Sequence, residues 1–256
     1  MYDIHTHILP GVDDGAKSLE ETLKMARVAA ANGTTAMLCT PHRRDVTERS
    51  SAQYVRDLVT EVNGELCAHG IELELLLGME NHLDLELPQD RSAGMALPMN
   101  GSRYSLVELP FFGRPNYLED VLFRLQLQGV TPVLAHPERI EAIQRDPELL
   151  VGFVERGMLS QVTAGSVVGH FGRKVRDFSH SLLRRRLVHI LASDTHLADG
   201  PRSPLLAPGV EAAAEIAGES GARAMVFDTP RAILEDRAIT VEPPRPDERP
   251  RRWWRF

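Results

Sequence analysis

Short apolar runs alternate with longer amphipathic segments along most of the chain, which is the pattern of repeated βα units around a parallel sheet or barrel. The short runs are mostly rich in β-branched residues or leucine, as strands buried on both faces are. Seven segments are therefore predicted to be strands: residues 2–5, 35–39, 71–77, 105–108, 131–135, 159–162 and 188–192.

The segments between these strands carry the periodicity of helices. Ser18 and Glu21 form a capping-box pattern, an apolar stripe runs through Leu23 and Ala26, and Gly33 stands where a helix commonly ends. Further stripes predict helices that end before Gly70 and Gly129, and helices over residues 149–156, 175–185 and 206–217. The prediction is an α/β fold, with one domain over residues 1–242.

Composition narrows the class of protein. The 256 residues carry a net charge of -7, which argues against a general nucleic-acid binder. With only two cysteines, Cys39 and Cys67, the sequence predicts neither a disulfide framework nor a thiolate metal site. We expect a cytoplasmic protein, because the sequence shows no secretion signal and no run of about 20 apolar residues that could span a bilayer.

Residues 243–256 differ from the rest of the chain, being rich in proline and arginine and ending in aromatic residues. We interpret them as an exposed tail. A peripheral contact with a membrane surface or a partner, made by tryptophan and arginine together, is the alternative.

The ends of the predicted strands share a chemical property. Six of the seven deliver a residue type that binds metals, and the carboxyl ends of the strands of a βα barrel open on one face. The residues concerned are His5, His7, His42, Glu80, Glu108, His136, Asp194 and His196, and Asp13 and Asp14 follow the first strand. We therefore expect residues that are far apart in the sequence to meet at one site.

This mixture of imidazoles and carboxylates without thiolates suits Mn, Fe or Zn, and it is too large for one tetrahedral ion. Two or three closely spaced metals generate hydroxide near neutral pH and neutralise charge on a transferring phosphoryl group. The sequence therefore predicts phosphoester hydrolysis. The five remaining histidines lack matching partners and are assigned to structural or surface roles: His69, His82, His170, His180 and His189.

Four runs together resemble the polymerase-and-histidinol-phosphatase (PHP) superfamily. They are residues 3–15, Thr40-Pro-His42, Ala135-His136-Pro-Glu-Arg139 and Ala192-Ser-Asp194-Thr-His196. Within it, the chain is most similar to the bacterial manganese-dependent protein-tyrosine phosphatases of capsule and exopolysaccharide operons, over about residues 1–240. The resemblance implies a distorted seven-stranded (β/α)7 barrel with the metal site at the carboxyl ends of the strands.

The resemblance also implies how the ligands are shared among up to three ions, most simply Mn²⁺, with Fe or Zn as alternatives. One ion would be held by His5, His7, Glu80 and Asp194, a second by Glu80, Glu108 and His136, and a third by Asp14, His42 and His196. Arg139 would bind substrate phosphate, and Arg202 would be a second catalytic arginine. Arg114, near the Glu108 loop, could also line the substrate pocket. Ile140 departs from the pattern of these phosphatases, in which an aromatic residue commonly follows the arginine of His-Pro-Glu-Arg.

The predicted reaction is in-line attack of a metal-activated hydroxide on phosphotyrosine, on a bacterial tyrosine kinase that regulates polysaccharide synthesis. Thiol-based phosphatases need an arginine six positions after the nucleophilic cysteine, but Asp45 and Leu73 stand there. The first alternative is a PHP phosphatase for a small phosphoester such as histidinol phosphate. The second is a catalytically silent scaffold, which would predict broken ligand sets. A nuclease is a distant third.

Overall fold

The computed structural model describes residues 1–246 of the chain. Within them, eight strands follow in order as β1 to β8: Tyr2–Thr6, Ala36–Cys39, Glu74–Leu77, Glu80–His82, Tyr104–Glu108, Thr131–Ala135, Leu159–Thr163 and Ile190–Ala192. Each of the seven predicted strands is present, with ends that differ by at most three residues. Strand β4, Glu80–His82, was not predicted.

The strands form two fully parallel sheets, with the orders β1-β2-β3 and β4-β5-β6-β7-β8. The α/β prediction is confirmed, but the count of seven strands is not. The difference arises at Gly78, where the chain leaves the first sheet and enters the second. A Cβ atom on Gly78 would lie 2.9 Å from the Leu38 side chain and 3.2 Å from the carbonyl oxygen of Cys39. Only glycine lets the chain cross β2 this closely.

Two isolated bridges join the sheets where the strands end. Thr6 pairs with Thr195 beyond β8, and His42 pairs with Glu80. The backbone N–H of Asp194 donates to the carbonyl oxygen of His5 at 3.0 Å. The carboxyl ends of strands from both sheets are therefore brought to one place.

Eleven helices, α1 to α11, lie in the described part of the chain. They are Leu19–Ala31, Arg43–Arg49, Ala52–Ala68, Leu87–Ser92, Leu118–Leu127, Glu141–Arg145, Glu148–Glu155, Ala164–Val168, Arg173–Arg184, Ala207–Val226 and Asp228–Leu234. The six predicted helices are confirmed as α1, α3, α5, α7, α9 and α10. The other five, of five to seven residues, were not predicted, because segments this short show too little periodicity.

Ser18 caps α1 as predicted, but the Glu21 side chain bonds the backbone of Lys17, whereas a capping box requires a bond to the backbone of Ser18. Ser18 Oγ accepts the backbone N–H of Glu21 at 3.3 Å, and the Glu21 carboxylate accepts the backbone N–H of Lys17 at 2.6 Å. Gly33 follows the helix with φ of +85°.

The apolar core is continuous between the two sheets. Two buried clusters lie under the helices, one containing residues of α1 and α3 and the other residues of α5, α7 and α9. A third includes Ile4 and Leu38 from the first sheet and Leu106, Val133 and Ile190 from the second. Because side chains of both sheets share this cluster, the sheets are held in a fixed relation that positions the strand ends.

The described part of the carboxyl-terminal segment packs back on the fold, since the backbone N–H of Arg245 donates to the carbonyl oxygen of Arg185 at 2.8 Å. The domain boundary at residue 242 stays a prediction. Most of the predicted tail, residues 247–256, lies outside the described residues. Within the described chain, none of the helices has the length and apolar character that crossing a membrane requires.

Candidate metal centre

His5 and His7 lie at the carboxyl end of β1, on the same face. Both are buried, and their Nε2 atoms are 3.3 Å apart. The Nδ1–H of His7 donates to Asp13 Oδ2 at 2.7 Å, and the Nδ1–H of His5 donates to Gln161 Oε1 on β7 at 2.7 Å. Because each Nδ1 carries the hydrogen, the two Nε2 lone pairs face each other. That arrangement needs a cation beside them, either a proton or a metal.

The loop that carries Asp13 approaches β1 closely at Gly15. A Cβ atom there would lie 1.9 Å from the carbonyl oxygen of His7. The backbone N–H of Gly15 donates to Asp13 Oδ1 at 2.9 Å. A side chain at this position would therefore displace the carboxylate that orients His7.

Seven of the nine predicted ligands are buried. Six of these seven form what we call the inner group: His5, His7, Glu80, Glu108, His136 and Asp194. Glu80, the first residue of β4, places Oε1 3.3 Å from the Nε2 of His5 and 3.0 Å from the Nε2 of His136. Asp194 Oδ1 lies 3.6 Å from the Nε2 of His5, and Glu108 Oε1 lies 3.6 Å from the Nε2 of His136. Glu80 is therefore at the middle of the inner group.

The other three predicted ligands form the outer group, Asp14, His42 and His196. Asp14 Oδ1 lies 3.2 Å from the Nε2 of His42 and 3.1 Å from the Nε2 of His196, and the Asp14 side chain is 59% exposed. The Nδ1 of His42 is 2.9 Å from Glu80 Oε2, so the two groups touch. The structure brings all nine predicted ligands into one connected cluster.

The cluster changes the protonation of its members. Hydrogen bonds from His196 and then from His42 hold the pKa of Asp14 well below its ordinary range. Burial would lower the pKa of His42, but its bonds with Asp14 and Glu80 outweigh burial and raise that pKa to about 10. Burial would likewise raise the pKa of Asp13, yet the charge and hydrogen bond of His7 lower it to about 2. The carboxylates thus favour positive charge on His42, whereas at His196 burial outweighs the bond to Asp14 and lowers the pKa of the imidazole.

Two of the ligands stand on strained backbone. His136 and Asp194 have φ of +33° and +51°, in the left-handed region that non-glycine residues rarely adopt. The strain is held by surrounding bonds, among them the 3.0 Å hydrogen bond from the N–H of Asp194 to His5. Such strain commonly lies at functional sites, because it places side chains where regular strands do not.

Two of the three predicted arginines reach the cluster. Arg139 Nη1 donates to Asp194 Oδ2 at 2.7 Å, and Arg202 Nη2 lies 3.4 Å from Asp194 Oδ1 and 2.7 Å from the Nε2 of His196. Arg114 instead pairs with Glu119 at the start of α5 and is 48% exposed. The structure does not bring Arg114 into contact with the cluster.

The comparisons with known proteins now identify the family. The profile described as "Capsular polysaccharide synthesis, CpsB/CapC" matches residues 1–235. The chain belongs to the CpsB/CapC family.

Relatives of the CpsB/CapC chain include tyrosine-protein phosphatase YwqE of Bacillus subtilis, 39% identical over 77% of both chains. Tyrosine-protein phosphatase CpsB of Streptococcus pneumoniae is 30% identical over 93% of this chain and 100% of its own. A solved structure from the work titled "Crystal structures of YwqE from Bacillus subtilis and CpsB from Streptococcus pneumoniae, unique metal-dependent tyrosine phosphatases" superposes with a TM-score of 0.92. That match is 34% identical and covers 97% of this chain and 100% of the other.

The donor set of this CpsB/CapC chain fits a metal. Three sets of residues could each hold a metal ion, because within each set the nitrogen and oxygen ligand atoms lie within 4.8 Å of one another. The sets are His7, Asp14, His42 and His196; His5, His7 and Glu80; and His42, Glu80 and Glu108. These sets overlap the expected division without reproducing it, since His7 joins the outer set and His42 takes the place expected for His136. The buried Glu80 Oε2 lies 2.9 Å from the Nδ1 of His42 and 3.5 Å from the Nε2 of His7, so one carboxylate oxygen faces nitrogen atoms of both groups.

Sequence reasoning missed several residues that support the site. Gln161 orients His5, and Phe111 and Phe171 flank Arg139. Glu138 fixes the turn before Arg139 by accepting the backbone N–H of Thr163 at 3.1 Å. A strand glutamine or a loop phenylalanine has no distinguishing pattern in a single sequence. In the sequence, Asp13 is recognisable only as one of two adjacent acidic residues after β1, and its bonds to His7 and Gly15 appear only in the structure.

The remaining predictions near the site concern three other residues. Ile140 is buried in the core, so its departure from the family pattern concerns packing. Cys39 is buried as predicted, and burial raises the pKa of its thiol, which disfavours a thiolate nucleophile. His82 was assigned a structural or surface role. Its Nδ1 lies 3.5 Å from Glu108 Oε2, at the edge of the inner group.

Proposed function

We propose that this chain is a metal-dependent protein-tyrosine phosphatase whose metals are held by the nine clustered residues. The observation that carries the proposal is the convergence of five imidazoles and four carboxylates on one face, with Arg139 and Arg202 bonded to Asp194 at its edge. Metal ligands with guanidinium groups beside them suit a phosphoryl substrate, because the guanidinium groups can bind its negatively charged oxygens. The YwqE and CpsB relatives carry the same activity in their names.

Residues of the inner group, Glu80 among them, would hold two ions, and the outer group would hold a third. We propose Mn²⁺ as the physiological metal, with Fe and Zn as competitors, because nitrogen and carboxylate ligands without thiolates accept all three. When bound, the metals supply a nucleophile derived from water and neutralise phosphoryl charge.

The chain's own groups then have separate tasks. Asp13 and Gln161 hold the two histidines of β1 in one tautomer, so that Nε2 faces the site. Arg139 and Arg202 would bind the phosphate oxygens and stabilise the charge that builds on them in the transition state. Neither cysteine takes part, because Cys39 is buried and Cys67 lies exposed on α3, and no phosphoenzyme is expected.

We further propose that the substrate is a phosphotyrosine protein, namely a bacterial tyrosine kinase that regulates capsule or exopolysaccharide synthesis in the cytoplasm. The family description and the relatives' names support this substrate, and they do not favour a small phosphoester. We also propose that the two sheets are the distorted barrel of the PHP fold.

The test removes the metal with a chelator and restores Mn²⁺, Fe²⁺, Zn²⁺ or Mg²⁺ separately. A phosphotyrosine peptide, a phosphoserine peptide and histidinol phosphate are then compared as substrates. We expect Mn²⁺ to restore hydrolysis of the phosphotyrosine peptide above the other two. No restoration by any metal would contradict the mechanism, whereas preference for histidinol phosphate would contradict only the substrate.

A further inference from the structure

Two phenylalanines from different loops flank the guanidinium group of Arg139. Its Cζ lies 5.1 Å from the ring centre of Phe111, which follows β5, and 4.6 Å from that of Phe171, which lies between α8 and α9. Phe111 also stacks nearly parallel on His136, at 5.3 Å between centres and 13° between planes. We call Phe111 and Phe171 the aromatic pair.

The aromatic pair lies where the metal cluster meets the surface. Arg139 is 19% exposed and bonds the buried Asp194, while both phenylalanines are only partly buried. Phe111 packs at the margin of the core, and Phe171 is absent from the core clusters of the described residues. A ring that neither fills the core nor lies free on the surface, but faces the phosphate-binding arginine, is placed to contact a ligand.

The chemistry of an aryl phosphate matches this arrangement. Rings on the guanidinium hold its plane and leave its N–H groups for phosphate oxygens. In an aryl ester a single oxygen joins the ring to phosphorus, so a phosphate on Arg139 brings its ring beside the aromatic pair. An alkyl ester would bring only methylene groups, without the favourable geometry of ring-to-ring contacts.

We propose that the aromatic pair determines the preference of this site for aryl over alkyl phosphates, by fixing Arg139 and by contacting the substrate ring. This inference rests on the proposed function in one respect, that Arg139 binds substrate phosphate.

The test measures binding rather than turnover, so that it does not depend on the catalytic mechanism. Titration calorimetry on Mn²⁺-loaded protein compares phenylphosphonate with ethylphosphonate, for the unchanged chain and for Phe111→Leu and Phe171→Leu. Phe112→Leu is the matched control, because Phe112 is next to the pair in sequence and 84% exposed. Thermal unfolding verifies that each variant is folded, and Phe171→Leu keeps the test valid if Phe111→Leu weakens the core.

We expect each variant of the pair to reduce the ratio of aryl to alkyl affinity about three- to tenfold, and Phe112→Leu to leave it unchanged. Equal weakening of both phosphonates, no change, or the same change in Phe112→Leu would overturn the proposal. Hydrolysis of p-nitrophenyl phosphate is measured alongside. Its absence from the unchanged protein with every metal would contradict the proposed function, while the ratio of binding constants still decides the role of the pair.

Discussion

The inner and outer groups use the same residue types in different surroundings. Inner residues are buried and lie at the carboxyl ends of strands, except Glu80, which begins β4, and two of their histidines are oriented by Asp13 and Gln161. In the outer group, Asp14 is on a loop with its side chain 59% exposed and the His42 side chain is 27% exposed, while the His196 side chain is only 4% exposed. Water can replace an exposed carboxylate, but a buried charge left without its partner is costly. The inner group should therefore tolerate change far less.

The largest effect is expected at Glu80, which contacts four histidines, three in the inner group and one in the outer group. Glu80→Gln keeps the shape of the side chain and removes the negative charge of a carboxylate that would hold metal. We expect turnover of a phosphotyrosine peptide to fall about a thousandfold, corresponding to several kcal/mol of lost stabilisation. Metal content measured by elemental analysis should fall with it. Glu74→Gln, on an exposed residue of β3, is the control. Unchanged activity and metal content would remove Glu80 from the centre.

Arg139→Ala separates substrate binding from metal binding. We expect kcat/KM to fall about a hundredfold, as for the loss of one group that stabilises transition-state charge, with metal content unchanged. Arg114→Ala is the matched control, because that arginine pairs with Glu119 away from the cluster, and its effect should be within about twofold. If Arg139→Ala also lost metal, Arg139 would belong to the ligand support instead.

Asp14→Asn tests the outer group directly. Because Asp14 is half exposed and carries charge for one ion only, we expect activity to fall about tenfold to a hundredfold, with one metal lost per chain and the others retained. Elemental analysis and kinetics on the same sample measure both. Loss of all metals, as expected for Glu80→Gln, would contradict the division into two groups.

Gln161→Leu asks how strongly the inner group depends on orientation. The variant removes the acceptor for the Nδ1–H of His5 without removing a ligand. We expect Mn²⁺ affinity, measured by titration calorimetry, to weaken about tenfold. Unchanged affinity would show that packing alone fixes the ring of His5.

A histidine without carboxylate neighbours sharpens the comparison. His189 lies before β8, and its Nδ1 accepts the backbone N–H of Ser160 at 3.0 Å. Burial lowers the pKa of His189 to about 4. Because this folded pKa is below the ordinary value of about 6.5, the unfolded chain binds the additional proton between these pH values. The stability from the neutral ring is complete above pH 6.5 and is lost as the pH falls towards 4.

His189→Asn keeps an acceptor for Ser160 and removes the titration. Urea unfolding of metal-free protein between pH 4 and 7 should show a smaller loss of unfolding free energy in this variant. The difference should be up to about 3 kcal/mol. Identical pH profiles for both proteins would contradict this assignment.

The fold was largely predictable because parallel strands are buried on both faces and read as short apolar runs. The division into two sheets at Gly78 was not predictable. It depends on how closely the chain passes Leu38, which is a contact between segments that are distant in the sequence. A strand of three residues, Glu80–His82, is also too short to show periodicity.

The site followed from the sequence as far as residue types at strand ends could indicate it. All nine predicted ligands meet, because strand ends of a βα fold share one face. His7 and His42 each belong to two of the three possible metal-binding sets. Which sets a side chain joins depends on the direction in which it points, and the local sequence does not determine that direction. The contact between Phe171 and Arg139 could not be predicted for a different reason. Phe171 is on the loop between α8 and α9, far from Arg139 in the sequence, and only the fold brings the two side chains together.

The most direct test of the central claim is anomalous scattering from crystals of the Mn²⁺-loaded protein, recorded at the manganese absorption edge. We predict peaks within bonding distance of the Nε2 atoms of His5 and His7 and of the Glu80 carboxylate, with a further peak among Asp14, His42 and His196. A map without anomalous density at these residues, from crystals that contain Mn²⁺, would contradict the claim.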